Sequence, residues 1–213
     1  MLPKAWLSLA VAAALACGGN PAPGGPEAAE AQEALPPPVP LSVGALAGQS
    51  VPVLPNTYVT APQALVADPM VSPRARALAF ADSALGEFLE ARAPEVTWKL
   101  APEVRRVAKR APGMVGDPDR LGQAQLRYPE IGGVPDPLRS SLRSIAALTD
   151  ARYVLVPAAV RYDGVEGQVR AELTLVLTDT RTGVIPWRTV ARGEGATAAA
   201  AFGAALESIA PPE

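Results

Sequence analysis

The chain contains no histidine, a single cysteine and few aromatic residues, 5% in all. Without histidine there is no Ser-His or Cys-His nucleophile pair and no imidazole metal site. One cysteine permits no internal disulfide and no thiolate cluster. Beyond Lys4 the only lysines are Lys99 and Lys109, which leaves little scope for lysine-based catalysis. No G-x-S-x-G, phosphate loop or dinucleotide fingerprint occurs. The net charge of −2 gives no bulk attraction to nucleic acid. No apolar run is long enough for a membrane-spanning helix, which needs roughly 20 residues.

What is present begins with an export pattern. Lys4 precedes an apolar run over 5–16, interrupted only by Ser8, which ends in Ala14-Leu15-Ala16-Cys17 and then Gly18-Gly19. This reads as a signal peptide over 1–16. The last four residues of that run resemble a lipobox, which implies cleavage before Cys17 and lipid (palmitate among the acyl chains) on its sulfur. The position of the sole cysteine favours this, since an unpaired exported thiol is otherwise odd. Acyl chains at about 0.8 kcal/mol per methylene then moor the chain stably. The same lipoprotein resemblance implies, with Gly18 in place of Asp, sorting to the outer membrane with the domain facing the periplasm. The alternative is a secreted or soluble periplasmic protein, cut at the same Ala-x-Ala site.

Residues 17–42 carry seven prolines and three acids, Glu27, Glu30 and Glu33, without a base. Such a stretch cannot bury enough apolar surface to order itself. It is expected to be a Pro-rich tether, partly polyproline II.

Residues 43–213 read as one globular α/β or α+β domain. Val51, Val53, Val59 and Thr60 form short extended pieces, placed at an edge or outside the central sheet by Pro52 and Pro55. Ser72-Pro73 opens a helix with Leu78, Ala81, Leu85, Phe88 and Leu89 inward. A strand at 96–100 follows, then a helix at 102–111 with Val104, Val107 and Ala108 inward. Asp117-Pro118 and Asp136-Pro137 open two more helices, with Leu121 and Ala124 inward in the first. The second carries Leu138, Leu142, Ile145 and Leu148 on one face. Then come three strands: 153–162, with Pro157 implying a bulge or edge, a half-exposed strand alternating from Val169 to Thr178, and 184–192. A helix at 197–209 closes the chain. The expectation is a single mixed sheet ending in a three-stranded antiparallel meander, covered by helices.

The runs Ala151-Arg152-Tyr153-Val154-Leu155-Val156, Glu172-Leu173-Thr174-Leu175-Val176-Leu177 and Asp179-Thr180-Arg181-Thr182-Gly183-Val184-Ile185-Pro186-Trp187 carry a resemblance. Over about residues 135–209 the chain looks like the periplasmic module of the TolB amino-terminal domain, CsgG and LpoB. That resemblance implies a non-enzymatic, cofactor-free domain that binds another envelope protein or self-associates.

Candidate interaction residues are the basic set Arg105, Arg106, Lys109 and Arg110, and Trp187. A solvated helix face explains the first and core packing the second. Asp117 and Asp119 suggest a cation site, against which a helix cap explains Asp117. The competing function is a small-molecule or glycan-binding or hydrolysing domain, which requires a deep pocket with close carboxylates.

Overall fold

The computed structural model describes residues 37–210. The signal peptide, Cys17 and most of the expected tether lie outside the described residues.

The sheet grows from the meander. Strand β4 (Tyr153–Val165) pairs antiparallel with β5 (Gln168–Asp179), and β5 with β6 (Trp187–Gly195). On the other side of β4, the short strand β2 (Val59–Thr60) adds in parallel, giving the order β2-β4-β5-β6. Pro157 sits in central β4, where it cannot donate to a ladder. The register slips between Pro157 and Ala159, so the bulge expected there is observed. Gly164, paired with Val169 near the end of β4, takes φ +99, and a Cβ there would meet the Gln168 carbonyl oxygen at 2.2 Å.

The single sheet expected from the sequence is in fact two ladders. Strand β1 (Ser50–Pro52) pairs in parallel with β3 (Thr97–Lys99) alone. Pro52 ends β1's regular pairing; only Val53 bridges to Leu155, and the Leu54 N–H donates to the Leu155 carbonyl. The two-stranded ladder is thereby joined to the four-stranded one.

Helices cover both faces. Helix α1 (Arg74–Arg92) and α4 (Ala198–Glu207) share one core with Val51, Leu155, Val160, Leu173, Leu175 and Ala191. Helix α2 (Ala101–Arg110), α3 (Leu138–Leu148) and the irregular segment 118–134 form a second core with Val154, Val156, Ala158 and Val176. The double cover corrects the half-exposed reading of β5. From Leu173 to Asp179 every β5 residue is buried, including Thr174 and Thr178. The Thr178 hydroxyl is satisfied by donating to the Val154 carbonyl at 3.1 Å.

Four further expectations shift. Helix α1 starts one residue late, with Pro73 rather than Ser72 at the N-cap and no side-chain cap. Likewise Pro137, not Asp136, precedes α3. The helix expected after Asp117 is two 3-10 turns, Pro118–Arg120 and Gln123–Arg127, split by Gly122 at φ +76. They bury Pro118, Gln123 and Leu126 rather than Leu121 and Ala124. Strand β6 starts at Trp187 instead of Val184, whose backbone is spent closing the turn on Asp179 and bridging Gly133.

The last part of the expected tether is bound to the domain. Leu41 is buried and its N–H donates to the Ile209 carbonyl at 2.9 Å. The Val39 N–H donates to the Thr189 hydroxyl at 2.9 Å.

Candidate functional site

Arg105 lies at the centre of an ion-pair network rather than on a free basic face. Its guanidinium forks onto Asp119, with Nε–Oδ2 at 2.9 Å and Nη2–Oδ1 at 2.7 Å, and also reaches Asp82 Oδ2 at 2.9 Å. Asp82 accepts in turn from the backbone N–H and the side-chain amide of Asn56. The hydrogen bond to Asp119 is the largest influence on Arg105 and holds its pKa above the usual arginine value, against the opposing effect of burial. This network ties the 54–57 loop, α1, α2 and the 118–120 turn together. Asp117 accepts from the Asp119 N–H at 3.1 Å, so it caps the turn as the sequence suggests. The remaining members of the basic set, Arg106, Lys109 and Arg110, are exposed at the end of α2 and form no ion pair among the described residues. Lys109 and Arg110 also complement the carbonyl end of that helix.

Trp187 is a clip for the leading chain. Its indole N–H donates to the Val39 and Pro40 carbonyls at 3.1 and 3.0 Å. Proline carbonyls have no intrachain donor in an extended Pro-rich segment, so an indole N–H is a fitting partner. The ring also packs against the first core.

A different surface brings together residues that the sequence does not connect. The 3-10 turn ending at Arg127 crosses the second face of the sheet. Gln123 anchors it, fully buried, by donating from Nε2 to the Pro55 carbonyl at 2.7 Å. Arg127 then emerges between two tyrosines, its guanidinium carbon 4.7 Å from the Tyr58 ring and 4.7 Å from the Tyr128 ring. It donates to the Tyr128 hydroxyl at 2.6 Å, the main reason its pKa is raised. Tyr128 keeps 43% of its surface exposed. From β6, Arg188 reaches across and donates to the Ile131 carbonyl at 2.8 Å and to the Tyr128 carbonyl. Burial lowers the Arg188 pKa. Arg74 joins from the start of α1, donating to the Thr57 carbonyl. Arg127 and Arg188 thus meet the two tyrosines, with Arg74 at the neighbouring Thr57, and each is held by a neutral acceptor.

The sequence shows Arg127-Tyr128 as adjacent and Arg188 beside Trp187. Nothing in it brings Tyr58 to Arg127, which requires β2 to lie beside β4.

A cavity of about 480 Å³ lies against the Arg105 network, lined by Lys109, Asp117 and Asp119 as well, and two others offer less convergent chemistry. A polar cleft of about 530 Å³ at the start of β1, β3 and β4 is lined by Lys99, Asp150, Arg152 and Arg181 among others. Lys99 is paired with Glu103 at 3.3 Å and Arg152 with Asp179 at 2.7 Å. Asp150, its one lining carboxylate, sits at φ +49 just past α3, and the following N–H of Ala151 bonds back to the Ala146 carbonyl. That is a helix-ending geometry. A cavity of about 410 Å³ holds Asp68 and Glu166. Asp68 is committed to the Met70 and Ala198 N–H groups. No metal-binding group of three or more Cys, Asp or Glu residues occurs among the described residues, and none of their helices is long and apolar enough to cross a membrane.

No known family matches the sequence, and no curated protein matches it. Solved structures share a likeness of low score. The LpoB C-terminal domain from Salmonella enterica is 19% identical, covering 70% of this chain and 82% of that one, with a TM-score of 0.38. The NMR structure of E. coli LpoB is 20% identical, covering 90% and 88%, with a TM-score of 0.39. A PelC dodecamer from Paraburkholderia phytofirmans is 20% identical, covering 81% and 93%, with a TM-score of 0.37. At these values the likeness assigns no function.

Proposed function

We propose that this chain is a cell-envelope lipoprotein, moored through Cys17 to the outer membrane and facing the periplasm, whose domain is non-catalytic and binds another envelope protein. The observation that carries the binding reading is the Tyr58–Arg127–Tyr128–Arg188 surface. Tyrosine and arginine are the residues on which interface energy concentrates, because each offers a large, stiff contact area and a polar tip. Here they are stacked and hydrogen-bonded in advance, so little side-chain freedom remains to be lost on binding. The clipped segment at Trp187 supports the tethered arrangement, since it fixes where the Pro-rich chain leaves the domain.

The test is a photo-crosslinking residue at position 128 in the cell of origin, with one at position 106 as the control. A discrete adduct with one envelope protein from position 128 alone is the expected result. No adduct at 128 refutes the surface, and an adduct only at 106 moves the site to α2. Intact-mass measurement on the membrane fraction checks the anchor: loss of residues 1–16 with an acylated Cys17 is expected.

A further inference from the structure

We infer that the Tyr58–Arg127–Tyr128–Arg188 surface binds an acidic, extended segment of a partner protein, its carboxylates meeting Arg127, Arg188 and Arg74 while its backbone lies across the two tyrosines. This rests on the protein-binding reading above and names the partner's chemistry.

Charge complementarity is the first argument. Several arginines elsewhere on the domain are neutralised at close range: Arg92 by Glu207, Arg105 by Asp82 and Asp119, Arg152 by Asp179 and Arg170 by Glu194. The three at this surface are bound to carbonyls, to a hydroxyl and to ring faces instead. These partners orient a guanidinium without cancelling its charge. Glu130 is near enough to favour the charged form of Arg188. Oriented guanidinium groups take carboxylates in a fork, and arginine is the side chain suited to that geometry.

Shape is the second argument. The surface crosses the width of the four-stranded sheet. It runs from Tyr58, beside β2 at one edge of the four-stranded sheet, to Arg188 on β6 at the other. An extended peptide fits a surface of this kind, and tyrosine faces accept a backbone of any sequence.

The experiment titrates the purified chain with an oligoglutamate peptide of about ten residues, following amide chemical shifts at low and high salt. Shifts centred on Tyr58, Arg127, Tyr128 and Arg188 are expected, fading as salt shortens the screening length from about 10 Å at 0.1 M to about 3 Å at 1 M. Arg188→Glu is expected to weaken binding by about fivefold or more, and Arg188→Lys to retain part of it. A variant with Glu27, Glu30 and Glu33 changed to Gln is run beside it. If shifts at this surface appear between that variant and the parent without any peptide, the occupant is the chain's own acidic stretch, and the partner assignment falls. Shifts confined to Arg106, Lys109 and Arg110, or to the cleft at Arg152 and Arg181, also overturn it. If oligoglutamate fails to bind while position 128 still crosslinks to a protein, only the acidic chemistry fails and the binding reading stands.

Discussion

Replacing Gly193 by alanine is the sharpest test of how α4 seats on the sheet. Helix α4 lies so close to β6 that a Cβ at residue 193 would stand 2.2 Å from Ala205 N, 2.4 Å from Ala201 O and 2.6 Å from Ala204 C. All three are helix backbone atoms, so no side-chain rotation relieves the clash. Restoring an ordinary contact of about 3.5 Å requires the helix to retreat by about 1.3 Å. Ala198, Ala201, Phe202, Ala205 and Leu206, all buried, move with it. A gap of that size forfeits a large part of each dispersion contact. Overpacking costs about 1–3 kcal/mol, and here the upper end applies because the obstacle is rigid. Against this stands the usual gain of about 0.5–1 kcal/mol from removing a strand glycine. The net loss is about 2 kcal/mol, or a Tm lower by about 4–8 °C for a domain of this size. Gly203→Ala is the matched control on the same helix, where a Cβ meets nothing within 4 Å. It should raise Tm by about 2–4 °C through helix propensity alone. Calorimetry on the three proteins decides. A Gly193→Ala protein as stable as its parent would refute the close approach of α4.

Asp82→Ala removes the acceptor shared by Asn56 and Arg105, and should cost about 2 kcal/mol in urea unfolding, because the Asn56 N–H groups lose their acceptor while Arg105 keeps its fork onto Asp119. Changing Arg106, Lys109 and Arg110 together to Ala should move stability by no more than about 0.5 kcal/mol per site in the same measurement. Trp187→Phe keeps the ring but loses the donor to Val39 and Pro40; it should cost about 1 kcal/mol and speed proteolytic cutting near residues 37–42. Asp179 gives a pH signature. Burial pushes its pKa up, but hydrogen bonds from Arg152 and from the N–H groups of Arg181 and Thr182 prevail and hold it below the usual carboxylate value. Its contribution is therefore complete above the unfolded pKa near 4 and fades as pH falls through the lower folded value. The stability gap between the parent and Asp179→Asn should be widest at neutral pH and shrink in acid; a gap that widens in acid contradicts the assignment.

The sequence carries the meander and helices α3 and α4 plainly. Alternation, turn glycines and the spacing of Leu138, Leu142 and Ile145 are local signals, and they emerge as expected. It carries the segment 118–134 poorly. There Gln123 and Gly122 decide the backbone, one through a buried bond to Pro55 and the other through a left-handed residue, and neither leaves a periodic trace. The same holds for the candidate sites. Arg105 reads as one more solvated cation until Asp82, twenty-three residues earlier, is placed beside it. Trp187 reads as core, and its second role appears only when the leading chain is laid against β6. The Tyr58–Arg127 contact depends on tertiary pairing alone.

The clip at Trp187 decides how the domain takes a pull. Tension along the leading chain enters at three places at once: the Thr189 hydroxyl, the indole N–H and the Ile209 carbonyl. Two of these belong to β6 and one lies just past α4, so the load is shared between the sheet's outer strand and the closing helix before it reaches β1. A pull applied there drags on the structural frame and spares the short parallel ladder, which would have only a few hydrogen bonds to resist it.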